Sequence, residues 1–186
     1  MANRNTQGFG LIPAGTLGQT PATSGQGKYK IDAGYGTTIY QGGAVASSAG
    51  YIIDGQTTDA PILGVLNGIF YNAATTLKPT FSNHYVQVTP ANSEDIDAFV
   101  FDNPQQQYVV ATDDSVAQSG YLETYDMNTS AGSTTTGKSS ATLDIDSANV
   151  NKMFTVVGSA EDPENEDLTQ AGANIIVTIA KDAKLY

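Results

Sequence analysis

The chain has 186 residues, no cysteine, 19 Asp and Glu against 8 Lys and Arg, and a formal net charge of −11. Without Cys there are no disulfides, thiolate metal sites or cysteine nucleophiles. The acidic balance argues against nucleic acid or an anionic membrane surface as partner, because both select basic faces. A chain of this length can bury enough surface to fold as one domain without staples. No apolar run of signal-peptide or membrane-span length is visible, so a soluble protein without an export signal is expected.

Charge is distributed unevenly along the chain. Residues 1–30 contain no acid, and their only charges are Arg4, Lys28 and Lys30, so residues 31–186 carry −14. The same stretch holds six glycines and two prolines, which break any helical period. Phe9, Leu11, Ile12 and Leu17 are spaced along it as apolar anchors. Residues 1–27 therefore read as an extended N-terminal arm and residues 28–186 as a β-rich body. Fully extended, the arm would reach about 90 Å. Ordering it costs roughly 1–2 kcal/mol per residue, and burying the four anchors returns only about 1.5–3 kcal/mol each. The arm is expected to be disordered until it pairs with an external strand.

The body reads as short strands rich in Val, Ile, Thr, Tyr and Phe between Gly, Asn, Asp and Pro clusters. In chain order these are Tyr29–Ala33, Thr37–Tyr40, Tyr51–Ile53, Ile62–Tyr71, His84–Val88, Ala98–Phe101 and Gln107–Ala111. They continue with Tyr121–Tyr125, Ala141–Ile145, Met153–Val157 and Ala173–Ala180. Ile175–Ile179, the most continuous apolar run, is expected in the middle of a sheet. Helical turns are expected only at Ser93–Asp97, Ser115–Ser119 and Asp146–Asn151. The fold class is all-β, with little helix. Asp102-Asn103-Pro104 marks a turn, with Asp102 placed to accept from the turn backbone. The segment 161–167, with five acids in seven residues, is an exposed loop.

Gly132-Ser133-Thr134-Thr135-Thr136-Gly137-Lys138-Ser139 matches the phosphate-binding P-loop pattern letter for letter. That chemistry needs a buried strand before the loop and a helix N-terminus after it. Here Tyr125–Ala131 is polar and broken, and Ser140–Asp146 alternates with period 2, so a Ser/Thr loop is the better reading. Asp144 and Asp146 share a strand face, Asp113-Asp114 lie in a turn, and the 161–167 loop could hold a calcium ion. The EF-hand spacing is nevertheless absent, and solvated charge explains these acids. His84 is the only histidine and has no nucleophile motif beside it. The ten tyrosines lack the basic track of a base-stacking platform and read as sheet-face residues. No catalytic constellation, cofactor or metal site is expected.

The opening residues 1–13 and the run Lys28–Val45 are similar to structural proteins of tailed-phage heads. In order, the Gly8-Phe9 arm, Tyr29-x-Ile31-x-x-Gly34-Tyr35, Gly42-x-x-Val45, Ile62-Leu63-Gly64-Val65 and Asp102-Asn103-Pro104 resemble the capsid cement, or decoration, proteins. The resemblance spans most of the chain on turn and strand motifs. It implies a single β-barrel or β-tulip-like body that clips onto the outside of an assembled icosahedral shell as a homotrimer or homodimer. The major capsid protein is the implied partner, with the virion surface as location and no direct contact to nucleic acid. Arg4, Phe9, Leu11, Ile12, Leu17, Lys28 and Lys30 are the implied capsid contacts. A fibre or adhesin β-domain that binds a surface glycan is the alternative.

Overall fold

Alternating apolar residues build most of the strands. In β7 (Ile96–Phe101) Ile96, Ala98 and Val100 are fully buried while Asp97, Phe99 and Phe101 lie on the other face. The computed structural model describes residues 3–19, 25–56, 60–129, 132–145 and 153–186. The other strands among them are β1 (Ile12–Thr16), β2 (Gly27–Ile31), β3 (Ala44–Ser48), β4 (Tyr51–Asp54), β5 (Ile62–Asn72) and β6 (Pro79–Ser82). After β7 come β8 (Gln106–Ala111), β9 (Thr124–Met127), β10 (Leu143–Asp144), β11 (Phe154–Ser159) and β12 (Asn174–Ile179). The expected Asp146–Asn151 turn lies outside the described residues. The Ser115–Ser119 turn is a 3-10 turn at Gln118–Gly120, and in place of the Ser93–Asp97 turn a 3-10 turn at Ala91–Ser93 precedes β7.

The strands form two antiparallel sheets. The first has the order β1-β8-β12-β11-β9-β10, and the second β2-β7-β5-β3-β4, with β6 paired to the far end of β5. All-β is the fold class, as the sequence indicates. The expected barrel is not closed: β1 and β10 bound the first sheet, and β2 and β4 the second. β12 sits between β8 and β11, the central place its apolar run implied.

Two cores result. One lies between the sheets, where Tyr108, Val110, Phe154, Val156, Ile175 and Val177 meet Ala44, Ile62 and Val65. The other lies on the far face of the second sheet, where Ile31, Val45, Leu66, Ile69, Ile96 and Val100 pack under Ile39 and Tyr85. β5 serves both, which is why Ile62–Leu66 is apolar without alternation. The expected strands Thr37–Tyr40 and His84–Val88 reduce to one bridge, Ile39 with Tyr85, and their segments act as the lid of this second core. The Tyr85 hydroxyl donates to the Tyr35 carbonyl, so the buried ring carries a satisfied polar tip.

Asp102–Gln105 is a turn, but it carries the chain from the second sheet to the first and does not close a hairpin. The turn backbone is served by Asn103, whose carbonyl accepts from Gln106 N–H at 2.9 Å and whose side chain accepts from Gln105 N–H at 2.9 Å. Asp102 instead accepts from the Tyr29 hydroxyl at 2.6 Å. Burial first, then that bond, pushes the Tyr29 hydroxyl well above its ordinary pKa.

The largest departure from expectation is the arm, whose described residues fold onto their own body. β1 pairs with β8 from Ile12↔Val109 to Thr16↔Gln106, with a bulge between Pro13 and Gly15. Leu11 is 1% exposed and belongs to the core between the sheets. Backbone bonds carry the segment there, Gly10 N–H to Ala141 O at 3.0 Å and Leu11 N–H to Gly42 O at 2.8 Å. Backbone pairing within the chain, added to the buried Leu11 side chain, offsets the ordering entropy that the side-chain anchors alone would not. The arm's glycines are close-approach positions. A Cβ on Gly8 would lie 2.0 Å from the Ser140 carbonyl oxygen, and Gly10 has φ +74 with Gly42 O 2.8 Å from its virtual Cβ. Gly10→Ala should therefore cost more than about 1 kcal/mol of unfolding free energy, read by chemical denaturation.

Candidate docking face

The seven residues expected to meet a capsid are dispersed by the fold. Leu11 is core, and Leu17 is half-buried with its N–H donating to Gln105 O at 3.0 Å. Phe9 and Ile12 line a cavity under the arm. Arg4 forms an ion pair with Glu164. Lys28 and Lys30 lie on β2 and hold the two oxygens of Asp97 at 2.7 and 2.6 Å. Burial pushes the Asp97 carboxyl up, but the two ammonium bonds outweigh it and hold it below the usual carboxylate range.

The acidic loop at 161–167 docks the arm. Asp162 accepts from Glu164 N–H at 3.1 Å, Asn165 Nδ2 at 3.2 Å and Asn174 Nδ2 at 2.8 Å. The loop so shaped accepts Arg4 N–H at the Glu164 carbonyl (3.1 Å) and Asn5 N–H at Asn165 Oδ1 (2.9 Å). The Asn3 side chain donates to the Asp167 and Ala171 carbonyls at 3.0 and 2.9 Å. The Glu164 N–H, followed by the Asn165 amide, holds the Asp162 carboxyl below its ordinary range. A group depressed in this way adds stability above its unfolded pKa of about 3.9 and loses it as pH falls through the folded value. Amide exchange at Arg4 and Asn5 should therefore accelerate below about pH 4, before the sandwich opens. Asp162→Asn should produce the same fraying at neutral pH.

Lys28 and Lys30 lie beside an apolar face of the second sheet that is partly open. A bulge at Asn67 shifts the register of β5 against β7 from Leu66↔Val100 to Gly68↔Phe99. Val65, Gly68 and Phe70 therefore share a face with Phe101, Phe99 and Asp97. Cross-strand pairing extends that face to Lys28 and Lys30 on β2 and to Phe81 on β6, opposite Phe70. At one end of the face Val65 and Phe101 are covered by the first sheet. At the other end Phe81 is 64% exposed and Phe70 and Phe99 are half-buried. The Phe81 ring lies over Gly68, where a Cβ would come within 2.9 Å of its Cζ, and tilts against Phe99 with centroids 6.2 Å apart. Leu77, 71% exposed at the hairpin tip between β5 and β6, has φ +54. The face is an aromatic platform with Lys28, Asp97 and Lys30 along one side and Glu94 and Asp95 next to Lys30 and Phe70. The sequence placed Phe99 in a strand without singling it out, and Phe81 and Phe70 join it only through pairing and the bulge.

The P-loop-like segment is a closed turn. Gly137 N–H donates to Ser133 O at 2.6 Å, and the loop is fastened to the body where Gln41 N–H donates to Gly137 O and Ser139 N–H donates to Gln41 O, at 2.9 Å each. Extended chain and β10 follow it where a phosphate site would need a helix N-terminus. His84 stacks on Tyr40 with centroids 6.1 Å apart, and its Nδ1 lies 2.9 Å from Asn83 Oδ1. Asp113 accepts from Ile145 N–H at 2.9 Å, and burial pushes its carboxyl up. Asp146 lies outside the described residues.

No family model matches the chain, and neither curated proteins nor solved structures yield a match. Among the described residues no helix is long and apolar enough to cross a membrane.

Proposed function

We propose that this chain is a non-enzymatic virion structural protein, a cement or decoration protein on the outside of a tailed-phage head. It attaches to the major capsid protein through the open aromatic face of the second sheet. The observation that carries this reading is the Phe70–Phe81–Phe99 platform. Exposed apolar surface of this kind, rimmed by polar residues, marks sites of protein contact. Lys28 and Lys30 at its edge share the Asp97 carboxylate, with Glu94 and Asp95 beside Lys30, so the charged rim is largely self-neutralised and the aromatic surface carries the contact. The sequence resemblance in Gly8-Phe9, Tyr29–Tyr35 and Asp102–Pro104 supports the same class.

A leader that becomes ordered only on a shell is no longer part of the reading, because residues 3–16 already have partners in their own chain. The protein docks as a folded body. Assembly into a homotrimer or homodimer would raise a modest contact to stable attachment through effective concentration. Cryo-imaging of purified particles carrying the protein is the direct test. Density for the sandwich on the outer surface, with β6 and β7 facing the shell, is expected. Glycan binding with no affinity for shells would overturn this reading and return the adhesin alternative.

A further inference from the structure

Where the arm crosses the body it roofs a cavity of about 240 Å³. Phe9 and Leu11 of the arm form one wall and Phe101 the other, with Gln41, Asn67 and Lys138 supplying the polar lining. The polar groups are arranged with a polarity. Gln41 Nε2 donates to Asn67 Oδ1 at 3.0 Å, which orients the Asn67 amide and leaves its NH₂ without a protein partner among the described residues. Asn67 is the bulge residue of β5, so the departure from regular pairing is what re-aims this side chain. Lys138 is exposed and has no ion-pair partner among the described residues. In a chain with 19 acids, none lines this cavity. The two amide oxygens of the lining already accept, Asn67 Oδ1 from Gln41 and Gln41 Oε1 from Asn83 Nδ2 at 3.4 Å. The Asn67 NH₂ and the Lys138 ammonium are donors left for a ligand, and at the edge of aromatic walls they suit an anion with an apolar body.

We infer that this cavity is a binding site for a small organic monocarboxylate with an aromatic or aliphatic body. Its carboxylate is held by Lys138 Nζ and Asn67 Nδ2, and its apolar part lies between Phe9 and Phe101. The volume is below the roughly 300–1,000 Å³ of drug-sized pockets, which restricts the ligand to about one ring. Because the two walls come from the arm and the body, an occupant bridges them. Ligand binding is thereby linked to the attachment of residues 9–13, and it protects the arm by mass action. The lysine of the P-loop-like sequence serves a carboxylate here and no phosphate cradle is formed. The inference goes beyond capsid attachment and stands without it.

The test uses the isolated full-length protein and three isosteric probes: phenylacetate, its neutral amide phenylacetamide, and the cation phenethylamine. In ¹H–¹⁵N NMR titrations, phenylacetate should shift the amides of Gly10, Leu11, Gly42, Asn67 and Lys138 saturably. Slower amide exchange at Leu11 should accompany it. Phenylacetamide should bind about tenfold more weakly, and phenethylamine should not bind. Lys138→Met, on an exposed side chain, should weaken phenylacetate to the level of the amide. Asn67→Asp, which places a negative charge beside the carboxylate, should abolish phenylacetate binding while leaving phenylacetamide bound. Absence of saturation with phenylacetate at millimolar concentration would overturn the inference. So would shifts mapping to another surface, or equal affinity for acid and amide in the wild type.

Discussion

Leu11→Ala should lower the free energy of unfolding by about 2–5 kcal/mol, the range for removing a fully buried leucine from a packed core. For a chain of this size that corresponds to a melting point lower by roughly 5–15 °C. Nothing in the local sequence prepares for an effect of this size. Leu11 lies in a glycine-rich, N-terminal stretch, where the sequence marks it as an anchor for an external partner and not as part of the chain's own core. Its side chain is 1% exposed and sits in the core between the sheets, and its N–H is bonded to Gly42 O at 2.8 Å. Ile12, the next residue, is 51% exposed, and Ile12→Ala should cost less than about 1 kcal/mol. Thermal and denaturant unfolding of the pair give the comparison. Equal small losses would mean that the arm is loosely held. Deleting residues 3–16 should be more severe, because it strips β8 of its β1 partner and opens the core. A truncated chain as stable as the full one would contradict the packing described here.

Phe81→Asp should abolish attachment to capsid shells while leaving the melting point nearly unchanged. The ring is 64% exposed and rests over Gly68 against Phe99, so its loss opens no cavity in either core. A carboxylate in the middle of an aromatic contact would be desolvated without a partner, and a central aromatic anchor is worth about 2 kcal/mol or more in a protein interface, some thirtyfold in affinity. Leu122→Asp is the control. Leu122 is 76% exposed but follows the 3-10 turn before β9, in the other sheet, and the substitution should leave shell binding intact. Co-sedimentation with purified shells measures both variants. Full binding by Phe81→Asp would remove the platform from the proposed function, and loss with both variants would point to net charge as the cause.

Most strands were legible because their apolar residues alternate or run together over lengths of four to eight residues. The strands that escaped notice are those whose composition resembles a turn. β1 contains Pro13 and Gly15, and β6 begins at Pro79. Both lie at sheet edges, where a residue without an N–H removes no ladder bond. β3, with Ala44, Ser47 and Ser48, is too small in its side chains to announce a strand, yet it lies between β4 and β5. The candidate face was only partly visible. The sequence named Lys28 as a contact and put Phe99 in a strand, but strict alternation along β5 would place Phe70 on the side of Leu66. The bulge at Asn67 reverses that parity and carries Phe70 to the side of Phe81 and Phe99. The acidic loop was visible as a loop but not as a dock. Its partners Asn3, Arg4 and Asn5 lie about 160 residues away in sequence.

Composition and periodicity were enough to establish an all-β chain without cysteine chemistry, with a central strand at Ile175–Ile179 and a turn at Asn103-Pro104. These properties depend on short windows, within which propensity and side-chain alternation act directly. Whether the N-terminal segment is free or packed, whether the sheets close, and which phenylalanines share a face depended on contacts between residues far apart in the chain. Backbone pairing of Gly10 and Leu11 with Ala141 and Gly42 supplies bonds that no local window contains, and these turn an apparently flexible leader into part of the core.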